Sequence, residues 1–307
     1  MEDVSEDEEF IIDDADIMEE LNDGSDAGNT LSDAEMLDDD AAGSDDELDE
    51  GIVEQQLESS ITNKLANSHE ITENNSVAAF SLHQAPVYSV HLLGKLCVSG
   101  GGDDMGYIWD IATGSKISDL ALHLDSVIAV AFSTDGQFVA TGGLDGIVNV
   151  FNVQSGQLSC ALSSSSEIMW IDWHPRGNVL LAGTEDGTCW MWTIPTGQCM
   201  HVLAGHSDSV TCGRFSPDGK SVVTGSSDCT IYVWDPKSGL ASQRFTSADE
   251  RFHQSSITSL DISPDSALII SGGLDGSLNV LQLSTGKILG TLKPHRESIE
   301  SIKFANW

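Results

Sequence analysis

Apolar residues along most of the chain fall in short runs broken by turn residues. The fullest example lies between Gly205 and Asp235: Val210 through Phe215, Pro217-Asp218-Gly219, Val222-Val223-Thr224-Gly225, Asp228, Ile231 to Val233, then Trp234. This pattern predicts three short strands, with a fourth (Met200 to Leu203) leading in. Pro217-Asp218-Gly219 supplies a preset φ, an acceptor side chain and a residue tolerant of positive φ. Asp228 falls in the tight turn between the second and third strands. There its carboxylate can accept from backbone N–H groups and from His206, with Thr224 and the Trp234 indole extending the chain of bonds. The same residue types recur where no chemistry is needed, so the quartet reads as scaffold.

The turn aspartate recurs as Asp103, Asp145, Asp186, Asp228 and Asp275, at steps of 42, 41, 42 and 47 residues. Six places further on stand Trp109, Phe151, Trp192, Trp234 and Leu281. The leading histidine recurs as His83, His123, His206, His253 and His295, with Ser164 in the third slot. A His…Asp…Trp order at this spacing, with four strands per unit, resembles the WD40 repeat and implies an all-β propeller. Five blades are expected, ending near Gly114, Gly156, Gly197, Gly239 and Gly286, with an insertion around Arg244 to Phe252 explaining the longest step. A sixth copy opens at His295 and stops at Trp307 after one strand. Rings of this repeat commonly have seven blades, so the sequence is expected to be a fragment or an alternative product. Val77 to Leu82 is expected to be the strand that closes the ring.

Charge divides the chain in two. Residues 1–80 carry 27 acidic residues against Lys64, whereas residues 81–307 carry 22 acidic and 12 basic ones. An acidic tail over 1–75, low in complexity and poor in apolar residues, is expected to be disordered, with order over 76–307. Such a protein repels nucleic acid and anionic membrane and attracts basic partners. No apolar run suits a membrane span, and the six cysteines form no metal-ligand or CxxC spacing. They read as small strand hydrophobes in a reducing compartment, cytosol or nucleus. No metal or other cofactor is implied, and no phosphate loop or nucleophile–base pair stands outside the scaffold quartet.

The third repeat is the least typical. Glu167-Ile168-Met169-Trp170-Ile171-Asp172-Trp173-His174-Pro175-Arg176, then Leu180 to Gly187, then Trp190-Met191-Trp192, resembles the angio-associated migratory cell protein family. Gly101-Gly102-Asp103-Asp104 and Thr211-Cys212-Gly213-Arg214 fit the same resemblance, which covers about 76–307. It implies a non-enzymatic propeller. The fungal relative is a dedicated chaperone that grips the N-terminal segment of a basic large-subunit ribosomal protein on its top face. The animal protein is associated with migration and signalling.

The residues themselves point to that face. The loop carrying the histidine and the turn carrying the aspartate are expected at one rim. Two places after a histidine stand Asp125, Asp208 and Glu297; Glu167 follows the Ser164 slot and Glu185 precedes a turn aspartate. Five places after the histidine slot stand Tyr88, Ile128, Met169, Thr211, Thr258 and Glu300. Together they predict an acidic rim with aromatic and aliphatic anchors, suited to an extended Arg/Lys-rich segment. Arg176 and Lys220 fall in turns expected at the opposite end. A protein partner with a basic linear segment, met by a monomer, is the first expectation; a signalling scaffold docking partners on several faces is the alternative. Trp170 is expected to pack between blades rather than to touch a ligand.

Overall fold

The computed structural model describes residues 79–305. The acidic tail and Val77-Ala78 lie outside the described residues. Among the described residues twenty strands form five four-stranded antiparallel sheets, each in sequence order from inside to outside. The first sheet is β1 (Val87–Leu93), β2 (Leu96–Gly101), β3 (Met105–Asp110) and β4 (Lys116–Ala121). The second is β5 (Val127–Phe132), β6 (Phe138–Gly143), β7 (Ile147–Asn152) and β8 (Leu158–Ser163). The third is β9 (Ile168–Trp173), β10 (Val179–Thr184), β11 (Thr188–Thr193) and β12 (Gln198–Ala204). The fourth is β13 (Val210–Phe215), β14 (Val222–Ser226), β15 (Ile231–Asp235) and β16 (Leu240–Phe245). The fifth is β17 (Ile257–Ile262), β18 (Leu268–Gly273), β19 (Leu278–Gln282) and β20 (Lys287–Leu292). These are five blades of a WD40 β-propeller. The strand leading into each repeat pairs with the sheet before it: Gln198–Ala204 pairs with β11, not with the fourth sheet. Each blade therefore runs past its closing glycine, and all five of those glycines have positive φ.

First strands pack one against the next, β1 on β5, β5 on β9, β9 on β13 and β13 on β17. At every seam but the one between the third and fourth blades, a glycine in the second strand of one blade receives apolar side chains from the inner segment of the next. A Cβ on Gly100 would lie 2.6 Å from Val127 and 2.9 Å from Val130; one on Gly142 would lie 2.7 Å from Ile168. Gly225 meets Ile257 and Leu260 in the same way, and Gly272 meets Ile299 and Ile302. Close packing leaves no room for a methyl there.

The seam between the third and fourth blades departs from this rule in a compensated way. Where other first strands carry Val130, Ile171 or Leu260, the fourth carries Gly213. The indole of Trp170 lies over both Gly183 and Gly213 and fills the space. Its Nε1 donates to the Val210 carbonyl at 2.9 Å, so Trp170 packs between blades as expected.

A second set of ties crosses the seams one level down. Asp172 accepts the Phe215 N–H at 2.8 Å and His91 Nδ1 accepts the Phe132 N–H at 3.2 Å. Trp173 Nε1 donates to the Ala131 carbonyl at 3.0 Å, and Arg214 pairs with Asp261. The chain after the fifth blade follows the same pattern. Thr258 and Ser259 donate to the Ile299 carbonyl, and Asp261 accepts the Phe304 N–H at 2.7 Å. Ile299 to Phe304 thus lies where a sixth first strand belongs, although no strand ladder is formed there.

The expected closing strand is not present over its described part. Ala79 to Leu82 lie in no strand, and Phe80 instead stacks on Trp109 with centroids 4.8 Å apart. The Phe80 ring, also edge-on to Tyr107, fastens this segment to the first blade.

Trp170→Ala is expected to cost about 3–5 kcal/mol, read as a lowered unfolding midpoint. Gly213→Leu alone is destabilising because the indole occupies its space. The double substitution recovers part of both losses, a coupling of about 1–2 kcal/mol in a double-mutant cycle.

Candidate partner-binding rim

Antiparallel pairing puts the loop into each first strand and the turn between second and third strands at one end of every blade. Each corner is built around the turn aspartate. In the fourth blade His206 Nδ1 lies 3.3 Å from the Asp228 carboxylate and 2.9 Å from Thr230 Oγ1; its Nε2 lies 2.8 Å from Thr224 Oγ1. Trp234 Nε1 donates to Thr224 Oγ1 at 2.9 Å, completing the predicted chain. Burial alone would lift the Asp228 carboxyl. Hydrogen bonds from His206, Thr230 and the Ser207 N–H outweigh it and hold the group well below the usual carboxylate range. Asp103 and Asp145 are depressed by the same balance.

The other blades use variations on this quartet. His83 bonds Asp103 at 2.8 Å and Ser99 at 2.9 Å, but the buried Trp109 Nε1 has no partner. His123 reaches Asp145 at 3.1 Å and Thr141 at 2.8 Å, with Phe151 filling the tryptophan slot. In the third blade Ser164 does not replace the histidine. It donates to the Gly146 and Ser166 carbonyls, while Ser165, Thr184 and Thr188 bond Asp186; Trp192 is buried beneath. His253 does not touch Asp275 directly: Ser277 bonds both, at 2.9 Å and 2.6 Å. Burial lowers the His253 pKa to about 4, with Asp275 opposing, so the ring is neutral at physiological pH. These groups are spent on one another and on the backbone, which leaves them structural.

The rim acids stand outside that network. Asp125 and Asp208 are exposed, and each accepts the next residue's N–H at 2.7 Å, which fixes the carboxylate at its corner. The Glu185 N–H donates to the Glu167 carbonyl at 3.1 Å, bringing two exposed glutamates to one corner. Gly187, next to that corner, packs on the carbonyls of His206 and Asp208, and Gly146 packs on Ser166. Asp125, Glu167, Glu185 and Asp208 therefore follow one another across three adjoining blades. No ion pair with a base involves any of them among the described residues.

The remaining rim residues are more dispersed. Tyr88 is 55 % exposed on the first blade, its ring edge over Gly102; Ile128 and Met169 are half-buried. Glu297 and Glu300 are exposed on the segment beyond the fifth blade, and Glu300 accepts from Ser298. Thr211 and Thr258 donate to the Ile257 and Ile299 carbonyls of the next first strand, so they fasten seams rather than anchor a ligand. Arg176 and Lys220 lie in the turns at the opposite end, with Lys95 and Lys237. Bases do reach the rim at the fifth blade, where Arg251 is held by Asp249 at 2.8 Å and Lys293 and Arg296 are exposed.

Sequence reasoning passed over the lining of the cavities between the first strands. Fifth positions of those strands bring His91, Ala131, Asp172 and Arg214 together along two adjoining cavities of about 300 and about 450 Å³. Burial lifts the Asp172 carboxyl to about 6, against the opposing pull of Arg214 and the Phe215 N–H. The available signal was a charged residue at an alternate position of an otherwise apolar strand.

A family model described as WD domain, G-beta repeat matches residues 74–110, 114–152, 156–193, 197–235 and 249–280. The chain belongs to that family. Among curated proteins this WD-repeat chain is 37 % identical to the angio-associated migratory cell protein of Homo sapiens over 72 % of its length and 51 % of the relative's. It is 26 % identical to ribosome assembly protein SQT1 of Saccharomyces cerevisiae, over 76 % of this chain and 62 % of that one. It thus spans about half the length of the migratory-cell relatives. A crystal structure of the computationally designed Ika8 protein aligns with TM-score 0.66 at 30 % identity, over 73 % of this chain and 67 % of that one.

Two outcomes follow from the corners and the cavity lining. Cys229 has φ +63° where the second, third and fifth blades carry Gly146, Gly187 and Gly276. Cys229→Gly is expected to raise the unfolding free energy by about 1 kcal/mol in thermal denaturation. Asp172→Asn keeps an acceptor for Phe215 without the charge. A carboxyl raised in the fold contributes stability that is complete below about pH 4 and is lost as pH rises through about 6. The variant should therefore match the parent below about pH 4, pull ahead between pH 4 and 6, and exceed it most at pH 7–8, by at most about 3 kcal/mol.

Proposed function

We propose that this chain is a non-enzymatic protein-binding propeller that escorts a basic client, gripping a Lys/Arg-rich linear segment across its acidic rim. The client is a ribosomal protein of the large subunit, met in the cytosol or nucleus by a monomeric propeller. The observation that carries this reading is the run of exposed, unpaired carboxylates Asp125, Glu167, Glu185 and Asp208 on three successive blades. The Asp125 and Asp208 carboxylates, each held by the next residue's N–H, are pre-ordered for hydrogen bonds to guanidinium, and the summed field of all four acids steers a cationic segment toward them. Half-buried Ile128 and Met169 offer apolar contact beside them. The name of the SQT1 relative supports the ribosomal part of the reading. Fold alone does not choose among binding partners.

A signalling scaffold is the second reading. The more similar migratory-cell relative favours it.

The test is a pull-down from cytosol at low and high salt, comparing the chain with its Asp125→Lys, Glu185→Lys, Asp208→Lys form. Recovery of one basic ribosomal protein, lost on charge reversal and weakened by salt, is the expected result. A varied partner set unchanged by the reversals overturns the escort reading and leaves the scaffold.

A further inference from the structure

The cavity of about 300 Å³ between the first strands extends from the rim positions Thr211, Thr258 and Glu300 to Asp172 one level below. Its charges are unevenly matched. Arg214 pairs with Asp261, and Lys303 also approaches Asp261, at 4.0 Å. The Asp261 carboxylate, almost fully buried, additionally accepts the Phe304 N–H. Asp172 has no such company. One oxygen accepts the Phe215 N–H at 2.8 Å, and no ion pair is made by the other.

From this imbalance we infer that Asp172 is a receiving site for one Lys or Arg side chain of the segment bound at the rim, reached down the cavity between the blades. The inference rests on the escort reading and adds a subsite to it. A carboxylate that is itself partly buried gains more from a cation than an exposed rim carboxylate does, because water competes less. The route is compatible in size, since a single extended side chain, not a folded element, has to enter. Arg214 and Lys303 do not close the site to a cation, because both are drawn toward Asp261 on the fifth blade's first strand while Asp172 projects from the third.

The histidine and the charged groups that line the cavity with Asp172 are His91 from β1, Arg214 from β13, and Glu300 and Lys303 from the following segment, whereas Asp261 of β17 is engaged by Arg214. Burial first, then Arg214 and Lys303, lower the His91 pKa, and burial and Arg214 lower that of Lys303. A cation at Asp172 is therefore expected to bind more weakly as pH falls from 7 to 5, when Asp172 takes up a proton.

The experiment measures binding of a fluorescein-labelled peptide of alternating Arg and Gly to the full chain. The comparison forms are Asp172→Asn and the rim variant Asp125→Lys, Glu185→Lys, Asp208→Lys. The expected result is about a tenfold loss for Asp172→Asn, the order of one charge-assisted contact, with the affinity change between pH 7 and pH 5 reduced in that variant. Because Asp172→Asn is expected to stabilise the fold at pH 7, a thermal melt on the same sample separates lost binding from lost structure. Undiminished binding by Asp172→Asn together with loss in the rim variant overturns the subsite and leaves the escort reading standing. Absence of binding by the parent chain removes the escort reading and the subsite together. Tighter binding of an alternating Glu and Gly peptide than of the Arg peptide assigns the cavity to anions through Arg214 and overturns the inference.

Discussion

Contact between successive first strands is the constraint on which the rest of the structure depends. A blade of four strands buries its inner edge only when its neighbour is present, because the glycine in one second strand has no side chain to cover the space that the next blade's Val, Ile or Leu fills. The polar ties from Asp172 to Phe215, His91 to Phe132 and Asp261 to Phe304 then fix the register of that contact. Blade position determines corner position, and corner position places Asp125, Glu167, Glu185 and Asp208 in succession. The arrangement of charge at the rim is thus a consequence of packing between the first strands beneath it.

The two kinds of acidic residue at the rim differ in what they are free to do. The turn aspartates are saturated by backbone N–H groups together with histidine or serine and threonine hydroxyl donors, and their depressed carboxyls record how strongly the fold holds the charged form. The outer acids accept one backbone N–H or none and face solvent. Separation of structural from available charge explains how one end of a small β-protein carries so many carboxylates without losing its corners.

Much of the fold was legible in the sequence because it is periodic. The step from Asp103 to Asp145, Asp186 and Asp228 hardly varies, and each step encloses the same alternation of apolar runs and turns. The quartet of the fourth blade followed from residue chemistry alone. What the sequence left obscure were properties that depend on a neighbour. Ser164 occupies the histidine slot, yet Ser165 makes the bond, because the third blade's loop is also shaped by Gly146 of the second. Val77 to Leu82 matched the strand that precedes other histidines, but its described part, Ala79 to Leu82, forms no strand, and Phe80 stacks on Trp109. Asp172 lay in plain view within Trp170-Ile171-Asp172-Trp173, but its partner amide is over forty residues away. The rim residues were legible as positions along a repeat; their adjacency required the order of blades.

The pairing of Trp170 with Gly213 carries a consequence for assembly. A chain of near-equivalent repeats risks docking the wrong blades together while it folds, since most seams present the same aliphatic surface to the same glycine. The indole fits only where the facing strand has given up its own side chain, and among the first strands only β13 has done so. Mispaired with Val130 or Leu260, it would collide. One tryptophan and one glycine therefore act as an address that singles out the third blade's neighbour, giving a repetitive sequence a distinguishable middle and a reason to prefer a single arrangement.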